Sequence, residues 1–172
     1  MEVLNGFKIE NFPISQLQKI GDLDYFEGPS LSLFKSEEDN SLYLFDWVDC
    51  DTQAHRWVVY TLSPNQLFEF INCKITRNDL VFSEKNISIV DFASDFVLLQ
   101  AYTVKVSNLP KTYLPNKNSF FDPTESPQTD FENIMKTLNT LMSSPSSVSK
   151  KNGTSKILRG VNPLPKPQIP MR

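Results

Sequence analysis

Apolar and polar positions alternate most regularly between Tyr25 and Leu62. The stretch reads YFEGPSLSLF, KSEEDNS, LYLFDWVD, CDTQAH and RWVVYTL. Three runs rich in aromatic and β-branched residues are separated by two polar turns, the pattern of an antiparallel meander. In the first run Leu31 and Leu33 oppose Ser30, Ser32 and Phe34, and the charged turn Glu37-Glu38-Asp39-Asn40 suits a hairpin loop. In the second, Leu42, Leu44 and Val48 oppose Tyr43, Phe45 and Trp47. In the third, Arg56 to Leu62, Trp57 and Val59 oppose Val58 and Tyr60. Strands apolar on both faces belong mid-sheet, with cover on each side.

The period then changes. Ser63-Pro64-Asn65-Gln66 combines a hydroxyl cap, Pro at the first helical position and Gln three residues after the cap. Leu67, Phe68, Phe70 and Ile71 continue it as an apolar stripe, so a helix is expected over 64–73. Leu80-Val81-Phe82 and Ile87 to Phe92 read as short extended pieces, with Thr76–Asp79 and Glu84–Asn86 as turns. Phe96 to Val106 reads as the last strand, with Phe96, Leu98, Tyr102 and Val104 on one face. Thr129 with Glu132 resembles a second capping box. It precedes Phe131, Ile134, Met135, Leu138, Leu141 and Met142 at i, i+3, i+4 and i+7, which predicts a helix over 130–142.

Two connecting regions complete the picture. Ile14, Leu17 and Ile20 have helical spacing between Pro13 and Gly21, so residues 1–24 predict a short helix or turn over one end of the sheet. Residues 108–128 are rich in Pro and Asn, yet Tyr113, Leu114, Phe120 and Phe121 are too apolar for a free linker. That loop is expected to wrap the body and bury those rings. The fold expected is α+β: one curved antiparallel sheet of five to six strands, packed by two helices and followed by an extended C-terminal tail.

Charge divides the chain more sharply than hydropathy does. Residues 1–142 carry all 20 acidic side chains against 11 Lys and Arg, a net of −9. Residues 143–172 carry Lys150, Lys151, Lys156, Arg159, Lys166 and Arg172 and no acid. Prolines 163, 165, 167 and 170 favour a polyproline-like conformation, and such a tail cannot bury enough surface to fold alone. The chain therefore divides into an acidic domain, 1–142, and a basic Pro/Ser-rich tail, 143–172. A body and tail of opposite sign suggest an interaction tail.

Other classes find little to stand on. The first twelve residues have neither the charged nor the apolar region of a signal peptide, and no apolar run approaches the roughly 20 residues that span a bilayer. A cytoplasmic protein with reduced thiols and no membrane contact is expected. The sequons at Asn86 and Asn152 then carry no modification. With only five Gly, no phosphate-cradling loop is present, and no cofactor is implied. Cys50 and Cys73 have no metal or redox spacing and are expected to be buried or inert.

One order of motifs resembles a known family. Gly21-Asp22-Leu23 leads into Tyr25-Phe26-Glu27-Gly28-Pro29 and Leu31-Ser32-Leu33-Phe34. Tyr43-Leu44-Phe45-Asp46-Trp47-Val48-Asp49 and Arg56-Trp57-Val58-Val59 follow. Next come Ile75-Thr76-Arg77-Asn78-Asp79-Leu80, Leu109-Pro110, Tyr113-Leu114-Pro115 and Phe121-Asp122-Pro123. Residues 20–123 resemble a family of small, uncharacterised bacterial domains, many of them cyanobacterial. The resemblance implies a single α+β domain and no particular chemistry.

The densest polar cluster is Asp46, Asp49, Asp51, His55 and Arg56, flanked by Trp47 and Trp57. Carboxylates beside a His could hold a divalent cation or do acid–base work. Against that, one His in the whole chain gives no zinc spacing, and Asp in a β-turn ordinarily satisfies backbone donors. Arg56 pairing with Asp49 across the hairpin would set register instead. No catalytic residue or metal ligand is assigned.

The function expected is a non-enzymatic accessory or adaptor in a larger bacterial assembly. It would bind a protein partner through the C-terminal helix and the tail, with Ile157, Leu158, Val161, Leu164 and Ile169 as anchors among the six bases. An alternative is a small subunit of a nucleic-acid-handling bacterial defence complex whose tail touches phosphates. A metal-dependent hydrolase built on the Asp46–His55 turn is the third reading.

Overall fold

A computed structural model of the chain describes residues 1, 4, 6–25 and 27–143. The expected tail anchors and bases, from Lys150 to Arg172, lie outside the described residues. Seven antiparallel strands form one sheet: β1 (Phe7–Lys8), β2 (Leu17–Tyr25), β3 (Pro29–Ser36), β4 (Leu42–Cys50), β5 (His55–Leu62), β6 (Asn86–Phe92) and β7 (Leu98–Lys105). Their spatial order is β1-β7-β6-β5-β4-β3-β2, so consecutive strands are neighbours except where β1 joins β7. The helices are α1 (Pro64–Ile71), α2 (Arg77–Phe82) and α3 (Gln128–Ser143).

The α+β class and the meander hold, and β4 and β5 lie inside the sheet as their two apolar faces require. The strand count rises from five or six to seven because the lead-in is extended. Only Ile14–Gln16 makes a single 3-10 turn, and from Leu17 the chain pairs with β3. A stripe of three apolar residues cannot nucleate a helix against an available strand edge. Register irregularities at Lys19/Gly21 and Asp22/Asp24 then break the alternation of β2, which hid it in the sequence.

Among the described residues there are three α-helices where two were expected. Leu80-Val81-Phe82 is helical, and Thr76-Arg77 opens that helix instead of a turn. The Thr76 hydroxyl accepts from the Asp79 N–H at 3.1 Å, and the Asp79 carboxylate accepts from the Thr76 N–H at 2.8 Å. That reciprocal cap outweighs the β-propensity of the Val-Phe run. The Ser63/Gln66 box forms as expected, and α1 stops at Ile71, two residues short of the range expected. The last helix begins at Gln128, ahead of Thr129, and Glu132 accepts from the Gln128 side chain instead.

Phe96 stands outside β7, in a turn with φ of 62°, and its ring is 69% exposed. An irregularity at Asp91/Phe92 shifts the register, so Leu98 and Ala101 share one face while Tyr102 and Val104 take the other. In the long loop Tyr113 and Phe121 are buried and Leu114 half-buried, whereas Phe120 remains exposed. Both Cys50 and Cys73 are exposed thiols, so of the two expectations, buried or inert, burial does not hold.

The sheet separates two cores. On one side Leu23, Leu33, Leu44, Val58 and Ile89 pack under the three helices and the loop 106–121. Ile134 and Leu138 of α3 are fully buried there. Gly21 permits the close approach, because a Cβ at that position would lie 2.9 Å from Asp130 Cβ. On the other side Phe45, Trp57, Val59, Val90, Phe92 and Ala101 form a smaller cluster, covered in part by Ile9, Phe12, Ile14 and Leu17.

Candidate functional site

Strand alternation distributes the expected polar cluster over both faces of the sheet. A bulge between Trp47 and Asp49 places Asp46 and Asp49 on the helix-covered face with Arg56. Trp47, His55 and Trp57 point to the opposite face, where they line one hollow. Asp51 caps the exposed turn, accepting from the N–H groups of Gln53 and Ala54 at 2.9 and 3.0 Å. Those bonds hold its carboxyl below the usual range. Among the described residues, no group of three or more His, Cys, Asp or Glu converges where a metal ion could sit.

Arg56 and Asp49 stand opposite each other across the hairpin, as the register reading requires. The guanidinium spends its two strongest bonds elsewhere. Its Nε and Nη2 donate to the two carboxylate oxygens of Asp91, both at 2.7 Å. Gln100 donates a third bond to Asp91, also at 2.7 Å. Arg56 Nη1 donates to the Tyr113 hydroxyl at 3.2 Å, and that hydroxyl donates to Asp49 at 2.7 Å. The bond to Asp91 is the chief reason the guanidinium pKa is raised further. This bidentate, fully engaged network ties the loop 106–121 to the sheet. It is a structural clamp: Asp91 is buried, Asp49 is half-buried, and the guanidinium is committed to both sides of the network.

A second buried charge lies nearby. Asp46 accepts from Arg77 Nη1 at 3.1 Å. Burial pushes its carboxyl up to about 6, against the opposing pull of Arg77. Tyr60, on the same face, is raised by burial first and by the Asp46 charge second. Its hydroxyl sits close enough to feel that carboxylate but makes no hydrogen bond of regular geometry.

The opposite face holds the larger spaces. One hollow, about 390 Å³, lies among Ile14, Leu17, Phe34, Phe45, Trp57 and Phe92. A second, about 490 Å³, lies among Gly28, Ser30, Trp47, His55, Ala93 and Ser94. They share Pro29, Trp57, Phe92 and Phe96 and so form one trough. Its floor is aromatic: the Phe34 and Phe45 rings are 4.5 Å apart, and Phe45 and Phe92 are 6.5 Å apart. Lys19 closes one end, paired with the buried Asp22 at 2.8 Å. Glu27 stands at the other.

Two residues that line the trough each bury a polar atom without a hydrogen-bond partner. Trp57 is only 6% exposed, and its Nε1–H has no acceptor. The Ser30 hydroxyl is likewise buried without a partner. Such a group costs about 1–3 kcal/mol. Phe96, at the junction of the two hollows, holds the left-handed conformation that a bulky side chain rarely adopts. Local cost of both kinds thus falls on residues that line the trough.

The sequence carried one trace of this site. Phe45, Trp57 and Val59 made the second face of β4 and β5 apolar, which demanded cover. It did not reveal that, among the described residues, the segment 9–17 supplies that cover, nor that Phe92 and Phe96 complete a trough. Asp91, Gln100 and Arg77 gave no local signal, because their partners lie in other strands. No protein-family model, curated protein or solved structure matches this chain. Among the described residues no helix is long and apolar enough to cross a membrane.

Proposed function

We propose that this protein is a non-enzymatic adaptor whose trough takes an extended, proline-containing segment of a partner protein. The observation that carries the reading is the aromatic trough itself, with a buried indole N–H donor in its wall. Proline-rich segments dock in grooves lined by aromatic rings, because their polyproline conformation is preformed and loses little entropy. Proline carries no N–H, so such a ligand needs few acceptors from its groove. Its carbonyls need donors, and the Trp57 indole is one.

The partner surface thus moves from the C-terminal helix to the sheet. The stripe of α3 is spent on its own core, with Ile134 and Leu138 at 0% exposure. The nucleic-acid alternative has no observation in its favour within a body of net charge −9. The resemblance of residues 20–123 to small bacterial domains motivates, within the same proposal, a bacterial assembly as the adaptor's setting.

Both tryptophans of the chain line the trough, so their fluorescence reports on it. Titration of the full chain with synthetic proline-rich peptides should give a saturable change. A Trp47→Ser, Phe96→Asn chain should bind about tenfold more weakly or worse, as when an interface anchor is truncated. Equal response to proline-free apolar peptides of the same length would overturn the reading.

A further inference from the structure

The chain itself contains a segment of the chemistry that the trough suits. Residues 162–170 read NPLPKPQIP, with four prolines, the apolar Leu164 and Ile169 and the cation Lys166. We infer that this segment of the chain's own tail occupies the aromatic trough when no partner does. The inference rests on the trough being a site for proline-containing segments and adds an intramolecular competitor for it.

Three observations favour this occupant. First, reach: α3 ends at Ser143, and about twenty residues separate it from Pro163. Extended, they span up to about 66 Å. A body of this size is roughly 40 Å across, so the segment can pass from the helix-covered face to the other. Second, charge: the tail carries six bases and no acid, the body a net of −9. Glu27 lines the trough, and Asp95 lies in the turn that carries Phe96, so Lys166 has carboxylates to meet there. Third, hydrogen bonding: the prolines leave carbonyls at 162, 164, 166 and 169 without competing N–H groups on the residues that follow. One such carbonyl gives the Trp57 Nε1–H the acceptor it lacks.

Tethering makes this contact effective even where its bare affinity is modest. A segment on the same chain is present at an effective concentration in the millimolar range for a short linker. A partner segment must displace it, so the tail sets a threshold for partner binding and lowers apparent affinity without touching the partner.

The test uses the full chain and a Leu164→Asp, Ile169→Asp variant, compared by the two indole N–H signals in nuclear magnetic resonance. A Trp47→Phe chain assigns them. The expected result is a displaced Trp57 signal in the tail variant, unaltered by dilution, and tighter binding of added proline-rich peptide. A difference that vanishes on dilution would assign the trough to the tail of a second copy and overturn the intramolecular contact. Identical indole signals in the two chains also overturn it. In that case a shift on adding the proline-rich peptide leaves the adaptor reading standing, and no shift removes both. The Phe96→Asn substitution in the full chain should move the Trp57 signal toward its position in the tail variant.

Discussion

On the helix-covered face, Arg56 and Asp91 are 5% and 0% exposed, and the guanidinium is tied into a network that reaches Tyr113, Asp49 and Gln100. On the opposite face, Trp57 is buried to nearly the same degree and its polar atom has nothing to bond. One side of the sheet has tied its buried charges internally, although the Tyr60 hydroxyl there makes no regular bond, while the other has left the Trp57 and Ser30 donors unspent beside an apolar hollow. The first arrangement serves the stability of the chain, and the second is the surface on which the proposed partner segment would dock. On that proposal, two faces of the same strands, one residue out of phase, divide folding from recognition.

The contrast breaks most visibly if the clamp is opened. Arg56→Met leaves Asp91 buried and uncompensated and should cost about 3–5 kcal/mol, read from the midpoint of denaturant unfolding. A loss under about 1 kcal/mol would mean that the network is as incidental as an exposed ion pair.

Asp46 sharpens the same side through pH. Its folded carboxyl titrates at about 6, above the ordinary 3.8, so between those values the folded chain binds more protons than the unfolded one. Stability therefore falls as pH rises from about 4 to 6, by an amount of order 3 kcal/mol for this group alone. Asp46→Asn should flatten that part of the profile. An unchanged slope would show that the carboxyl is better solvated than its burial indicates.

The smallest stability effect is expected on the trough. Phe96→Asn removes an exposed ring from a left-handed position that Asn tolerates. Stability should stay level or rise by up to about 1 kcal/mol, while peptide binding weakens. A loss of several kcal/mol would make Phe96 part of the core and the comparison of faces false.

What could be read in the sequence follows the same divide. The meander, the Ser63 cap and the stripe of α3 were legible because each is local and periodic. The lead-in strand was not, because β2 pairs irregularly and three apolar residues fell at helical spacing by coincidence. Leu80-Val81-Phe82 misled because six residues are too few for periodicity to outvote β-propensity, although the Thr76/Asp79 cap stood in plain view. The Asp46–Arg56 cluster was visible as composition, and the fold spreads it over both faces of the sheet. Proximity in sequence across a bulged strand places neighbours on opposite sides, and the partners that decide their roles, Asp91 and Arg77, are 35 and 31 residues away.

The irregularity between Trp47 and Asp49 works as a phase reset within β4. It lets an indole and a carboxylate two positions apart report to different surroundings, which a regular pleat forbids. A residue inserted opposite Val48, between Arg56 and Trp57, would restore the regular pleat and turn Asp49 to the side of Trp47. The carboxylate would swing among the rings, and Tyr113 would lose the acceptor that anchors its loop. Insertions and deletions are commonly harmless at loop tips, but in this pair of strands a single residue of length decides which side of the molecule is dry.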